Sequence, residues 1–231
     1  MKKYAVIVAG GSGSRMGTPV PKQFLLLQGR SVLWYSLQTF LSAYDDLLVI
    51  LVVAPGYRKE AEDIVAGVPG GERVRMVEGG ATRFHSVRNG LGLVAADSVV
   101  SGESVVAVHD GVRCLVSVEL VRRCFEEAER VGSAIPVVDC KDSVRWVDGD
   151  SSKPIDRARV KLVQTPQTFL SSVLLEAFEG RDGAAFTDEA TVVEAAGYAV
   201  HLVEGEITNI KITTPADLVL ASELLRAVGG G

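Results

Sequence analysis

The chain alternates between short, almost wholly apolar runs and longer amphipathic stretches, and this alternation predicts most of its elements. Tyr4 to Ala9 is an unbroken β-branched-rich run, the signature of a strand buried on both faces. Ser31 then predicts an N-cap for a helix over Val32–Ala43, whose Leu33, Leu37, Phe40 and Leu41 share one face. Leu47 to Ala54 predicts a second buried strand stopped by Pro55-Gly56, followed by a helix near Tyr57–Val65 and a strand over Arg73–Val77. A Gly79-Gly80 turn feeds a helix running to about Ala96. Ser104–His109 predicts a fourth strand, Ser117 caps a helix through Val131, and Ser133–Cys140 predicts another strand. Strands alternating with helices at this spacing predict a mostly parallel sheet with right-handed crossovers, a Rossmann-like doubly wound α/β fold.

Residues 141–163 break the rhythm. Lys141–Val147 and Lys153–Val163 read as two polar strands around Asp148-Gly149, a hairpin turn signal. Such a pair is too polar for the core, so it is expected to project as an arm carrying Trp146, a form suited to subunit contact and hence to a homodimer. An idle surface hairpin is the alternative. Gln164 to Phe169 is read as a lead into a helix near Val173–Glu179, and Phe186 to Glu189 as a helix N-terminus. Tyr198–Val203 and Asn209–Thr213 are predicted strands, and Pro215 opens a closing helix to about Val228. Without repeats or linkers, residues 1–231 form one domain bearing the 141–163 arm.

Composition narrows the partners. The chain has 231 residues, 47% of them apolar and 23% charged, an ordinary balance for a globular domain with a sizeable core. A net charge of −5 argues against general nucleic-acid binding, so an anion site has to be assembled locally. No stretch approaches the roughly 18 apolar residues of a membrane span. The N-terminal apolar run of about six residues is too short for a signal-peptide core of roughly 7–15. Three cysteines, Cys114, Cys124 and Cys140, lack metal-type spacing, which points to a reduced, cytoplasmic setting.

The candidate chemistry starts where the first strand ends. Gly10, Gly11 and Gly13 follow Ala9 and free backbone N–H groups for close approach of a ligand, and Arg15 and Lys22 add positive charge beside them. The combination suits a polyphosphate. It is not a Walker loop, because no lysine follows the glycines at the required distance. It is not the dinucleotide fingerprint either, since Met16 stands at the third glycine and Ala54-Pro55 replaces the acid ending the second strand. Asp110 falls at the carboxyl end of a buried strand, where open parallel sheets bind ligands, though an aspartate before glycine also merely holds turns. Ser86 is open to reading as a helix-surface serine and Thr187 as a simple N-cap. Lys211, alternating with Ile210 and Ile212, points either to solvent or into a site.

Gly-x-Arg-Met-Gly followed by Pro-Lys-Gln-Phe resembles the nucleotidyltransferases that activate sugar and polyol phosphates, the cytidylyltransferase branch in particular. In chain order come Gly79-Gly80 with Arg83 and Ser86, His109-Asp110-Gly111-Val112-Arg113, Asp142-Ser143, Asp156-Arg157, Gln164-Thr165-Pro166-Gln167, Thr187-Asp188-Glu189 and Asn209 to Thr213. Over nearly the whole chain this series resembles the 2-C-methyl-D-erythritol 4-phosphate cytidylyltransferase family, with ribitol-5-phosphate cytidylyltransferases sharing most signatures. A non-catalytic nucleotide-binding module is the alternative from another class.

The resemblance implies transfer of CMP from CTP to a polyol phosphate with release of pyrophosphate, and Mg²⁺ held by Asp110. It implies that Arg15 and Lys22 act on the triphosphate and that Arg157 and Lys211 act in the transfer. Ala9, Gly10, Gly11, Gly13, Gly80, Ser86 and Asp110 would bind the nucleotide. Arg113, Ser143, Arg157, Thr165, Thr187 and Lys211 would form the polyol-phosphate pocket, with Arg157 reaching the partner's site across the dimer. The sequence departs from the family pattern at Cys114, where proline is usual and a reactive thiol becomes conceivable. At Ser143 a serine replaces threonine, and Ala81 stands where an acid sometimes meets the base.

Overall fold

A computed structural model of the chain describes residues 1–11, 20–101, 103–183 and 186–229. In chain order the strands are β1 (Lys2–Ala9), β2 (Leu26–Leu27), β3 (Arg30–Ser31), β4 (Leu48–Val53), β5 (Val74–Glu78), β6 (Ser104–Asp110), β7 (Ser133–Asp139), β8 (Val144–Asp148), β9 (Ser151–Ile155), β10 (Lys161–Val163), β11 (Gln167–Leu170) and β12 (Leu202–Glu204). The helices are α1 (Val32–Ala43), α2 (Arg58–Ala66), α3 (Arg83–Ser101), α4 (Val118–Val131), α5 (Ser171–Phe178), α6 (Glu189–Ala195) and α7 (Pro215–Gly229). Among these helices none is long and apolar enough to cross a membrane.

The expected α/β architecture is present. β5, β4, β1 and β6 lie side by side in parallel, with β1 central. Side chains alternate along β1: Ala5, Ile7 and Ala9 join a core under α1 and α4, whereas Tyr4 and Val6 join one under α3, α5 and α6. Each fully buried Val, Leu or Ile in these layers contributes about 1.5–3 kcal/mol. Local signals set the helix starts. Ser31 accepts from Trp34 N, Ser117 accepts from Leu120 N, and Thr82 Oγ1 accepts from His85 N at the head of α3.

Several expected boundaries change. The helix predicted to end near Ala96 continues to Ser101. The Gln164–Phe169 segment is not a simple lead into a helix. It contains β11, which runs antiparallel between β6 and β7. β10, expected as part of the arm, instead pairs antiparallel with β7, so the projecting hairpin is β8–β9 alone. From Val163 opposite Val137 to Thr168 opposite Ala134, one strand advances five residues against three on β7. β10 and β11 are thus one bent strand with a two-residue bulge, and the bulge falls at Gln164–Pro166. Proline supplies no ladder donor and is at home there, and bulges re-aim side chains beside sites.

The strand predicted over Tyr198–Val203 shortens to β12, which pairs parallel with β7 on its other edge. The strand predicted over Asn209–Thr213 is absent. That segment is held by side chains and isolated backbone bonds, Ile212 N donating to Val112 O at 3.0 Å. Ile212 packs with Leu27, Val32, Val112, Cys114 and Ala221 in a third cluster that docks α7. Helix α6 is capped by Asp188, which accepts from Thr191 N, and not by Thr187.

Candidate active site

The carboxyl ends of β1 and β6 and the turn that follows β5 open on a cavity of about 400 Å³. Its floor is the strand end Val8–Ala9 and the start of the glycine loop at Gly10 and Gly11. Gly13 and Arg15, two of the loop's expected ligands, lie outside the described residues. Buried Gln23 holds the entry of the loop, its amide donating to Ala9 O at 2.7 Å and Gly11 O at 3.1 Å. Beside it, Lys22 opens a short helical turn and lines the cavity.

The opposite wall is the turn before α3. Gly79 N donates to Val53 O at 2.7 Å, which ties the turn to β4. Ser86 Oγ accepts from Gly80 N at 3.1 Å and donates to Thr82 O at 2.9 Å. The hydroxyl is therefore a fastener of this wall, since its single proton is committed to Thr82. It also explains two small neighbours, since a Cβ on Gly10 would lie 3.3 Å from that oxygen and one on Gly79 3.0 Å; at Gly80 a Cβ would instead lie 2.4 Å from His85 Cβ.

Between this cavity and a second one of about 210 Å³ stands Asp110, 7% exposed, which lines both together with Arg83 and Lys211. Arg83 Nε donates to Asp110 Oδ1 at 3.0 Å, and Lys211 Nζ lies 2.7 Å from Oδ2. Arg113 Nε stands 3.9 Å from the same oxygen. Burial opposes the charge on Asp110, but Arg83 and Lys211 outweigh it and hold the carboxyl well below the usual range. Arg83 also grips buried Glu189, through Nη1 to Oε1 and Nη2 to Oε2, the latter at 3.0 Å. Burial raises the Glu189 pKa; burial also opposes the charge on Arg83, but Glu189 and Asp110 outweigh it and raise the Arg83 pKa. Arg83, Arg113 and Lys211 face Asp110, Asp188 and Glu189 in equal number, so the local positive surplus comes with Lys22 on the larger cavity. In an acidic chain such a cluster of cations is suited to attracting phosphates.

The expected second-substrate residues divide. Arg113, Thr165, Thr187 and Lys211 all line the smaller cavity. The open question over Lys211 is decided, for it points into the site while Ile210 and Ile212 pack behind it. Arg113 is also a brace, donating to Asn209 O at 2.8 Å and Val163 O at 3.3 Å. Thr165, aimed by the bulge, accepts from Asp110 N at 3.1 Å and stands 3.0 Å from His109 Nδ1. His109 Nε2 faces the carbonyl of Arg113 at 3.2 Å, so Nε2 carries the ring proton and Thr165 donates to Nδ1. Burial pushes the His109 pKa down to about 3, which keeps the imidazole neutral. The Thr165 proton is thus engaged within the protein.

Ser143 and Arg157 line neither cavity of this chain. Ser143 is exposed just before β8, and Arg157 lies after the hairpin, in a short helical turn, with Nη1 donating to Lys141 O at 2.7 Å. Cys114 is buried and its pKa is pushed up to about 12, which removes the reactive thiol conceivable from sequence. Sequence reasoning noted Arg83 only as an anchor and gave Gln23 and Glu189 no role. The signal for Arg83 was its place at the helix start after Gly79-Gly80; burial of Gln23 and Glu189 has no local signal.

The match to known proteins covers the same ground. Residues 4–227 match the family model for 2-C-methyl-D-erythritol 4-phosphate cytidylyltransferase. The chain is 44% identical over 229 residues to the Bacteroides thetaiotaomicron protein of that name, covering 97% of this chain and 100% of the relative. Among solved structures, the corresponding Thermus thermophilus enzyme is 36% identical with a TM-score of 0.76, over 98% of this chain and 100% of that one. A 4-diphosphocytidyl-2C-methyl-D-erythritol synthase from Anaerococcus prevotii is 30% identical with a TM-score of 0.81, over 96% and 95% of the two chains. Fold and site together define a nucleotidyltransferase of the cytidylyltransferase class. Within that class, the chain belongs to the 2-C-methyl-D-erythritol 4-phosphate cytidylyltransferase family.

Proposed function

We propose that this chain transfers CMP from CTP to 2-C-methyl-D-erythritol 4-phosphate, forming 4-diphosphocytidyl-2-C-methyl-D-erythritol and pyrophosphate for isoprenoid precursors. The observation that carries the reading is the wall shared by Arg83, Asp110 and Lys211, with one cavity on the glycine-loop side and another on the Thr165–Thr187 side. CTP fits the larger cavity and the polyol phosphate the smaller, so their phosphates meet at the cationic wall. An acceptor phosphate oxygen attacks the α-phosphorus of CTP; the new P–O bond forms as the bond to the β-phosphate oxygen breaks and pyrophosphate leaves. The attacking oxygen is already anionic, so positioning and charge neutralisation carry the rate, with no protein nucleophile. Lys22, with Arg15, neutralises charge growing on the triphosphate; Lys211 holds the acceptor phosphate against Asp110.

Mg²⁺ fits Asp110. Among the described residues it is the carboxylate lining the larger cavity, and its oxygens keep lone pairs beyond those taken by Arg83 and Lys211. One carboxylate plus substrate phosphates is a usual Mg²⁺ donor set, and the ion would supply charge neutralisation to the departing phosphates.

The arm supports a homodimer. Trp146 is 58% exposed and Val147 68%, on a two-stranded ribbon that packs poorly on its own chain. In such a dimer Arg157 completes the partner's smaller cavity. The setting is cytoplasmic, where CTP is made and thiols stay reduced.

The test is pyrophosphate release with Mg²⁺ and CTP, comparing methylerythritol phosphate with ribitol 5-phosphate. Release with methylerythritol phosphate alone is expected. Release with ribitol phosphate alone moves the chain to that substrate, and silence with both, CTP still binding, leaves a non-catalytic nucleotide-binding module.

A further inference from the structure

Glu189 lines neither cavity, yet it is 1% exposed and carries one of the most constrained ion pairs near the site. Burying a carboxylate against an arginine is a costly way to gain stability, because desolvation of the carboxylate offsets much of the attraction. The start of α6 does not require it. Asp188 already caps that helix through Thr191 N, and Gln167 fastens it to β11 through Ala190 N at 2.8 Å and Asp188 Oδ2 at 3.0 Å. What Glu189 does constrain is orientation. Two parallel bonds fix the plane of the Arg83 guanidinium, and a fork held at both tips cannot swivel. In that plane Nε meets Asp110 Oδ1, which lies at the boundary of the two cavities. Among the described residues three of the five Arg83 N–H groups find partners, leaving two on a side chain that lines both cavities.

We propose that Glu189 is a positioning residue for the transfer step: it orients Arg83, which sets the Asp110 carboxylate and offers its remaining N–H groups to the phosphates exchanged at the shared wall. The inference rests on the cytidylyltransferase reading above. Its energetic basis is that a donor held within a fraction of an ångström needs no reorganisation when charge moves. Glu189 and Arg83 therefore act as one unit, and their effects on rate do not multiply.

The test uses the full chain with Mg²⁺, CTP and methylerythritol phosphate. It compares wild type, Glu189→Gln, Arg83→Lys and the double variant by steady-state kinetics, CTP binding calorimetry and thermal melting. Glu189→Gln keeps the shape and one acceptor but loses the charge and the symmetric grip. It is expected to lower kcat by about tenfold or more while CTP affinity changes by less than about threefold. The double variant is expected within about twofold of Arg83→Lys, because Glu189 then has no fork to orient. Undiminished kcat in Glu189→Gln, or losses that multiply in the double variant, overturns the proposal. Should Glu189→Gln melt below the assay temperature, Arg83→Lys decides, and wild-type kcat in it overturns the proposal equally. Wild-type protein that releases no pyrophosphate overturns the functional reading first; turnover in wild type with normal Glu189→Gln overturns this inference alone.

Discussion

Lys211 Nζ lies 2.7 Å from Asp110 Oδ2, joining a segment late in the chain to the end of a central strand. In the proposed reaction the contact puts a point charge where two phosphates approach, and it is held by a carboxylate that Arg83 holds from the other side. Lys211→Met keeps the stem and removes the charge. It is expected to reduce kcat by roughly 10²–10³, the size seen when one preorganised charge stabiliser is lost. Steady-state kinetics with both substrates varied checks it, and an unchanged kcat removes Lys211 from the transfer step.

Lys22 lines the larger cavity, the proposed nucleotide side of the wall. If it acts on the transition state more than on bound CTP, Lys22→Ala lowers kcat far more than it raises the KM for CTP. A rise in KM with kcat intact would make it a ground-state binding residue.

Arg157 donates to Lys141 O within its own chain and reaches neither of that chain's cavities. In the proposed dimer, mixing inactive Arg157→Ala and Lys22→Ala protomers restores one competent site per heterodimer. Activity of the mixture after verified subunit exchange checks this, and no recovery shows that each protomer relies on its own Arg157.

Thr165 joins Asp110 N to His109 Nδ1 through one hydroxyl. Thr165→Val leaves a buried donor and acceptor unpaired and is expected to cost about 1–3 kcal/mol. Thr165→Ser restores most of that. Urea midpoints of the two variants at equal slope measure the difference, and equal midpoints would deny the bridge its role.

Asp217 in the first turn of α7 accepts from the backbone N–H groups of Thr213 at 2.8 Å and Thr214 at 2.7 Å, as well as from both hydroxyls. Partial burial opposes its charge, but these donors prevail and lower the pKa to about 2. A carboxyl depressed from an unfolded value of about 3.9 contributes stability above that pH and loses it as pH falls towards 2. The stability difference between wild type and Asp217→Asn is therefore expected to be about 1 kcal/mol at neutral pH and to shrink between about pH 4 and pH 2. Denaturation across that range tests it, and a constant difference excludes the ionised cap.

Sequence and tertiary structure divide the credit along one physical line. The sequence alone determined β1, β4 and β6 as buried strands, because a strand covered on both faces has to be continuously apolar. It likewise determined α1 and α4, whose caps at Ser31 and Ser117 act within three residues. It placed Asp110 at a strand end and marked the glycine loop, since these features also reside in a few consecutive residues. Only the tertiary structure decided that Gln167–Leu170 is a strand, because this short mixed segment directly after Pro166 gains its ladder from β6 and β7, partners distant in the chain. Only it turned the Asn209–Thr213 alternation into an irregular segment pinned by Gln164, Arg113 and Val112. It also gathered Arg83, Asp110, Glu189 and Lys211 into one cluster, since the energy of burying and pairing charges depends on who meets whom in space. Periodicity and capping are short-range quantities that a sequence displays, whereas strand register and buried electrostatics exist only once the chain has closed on itself.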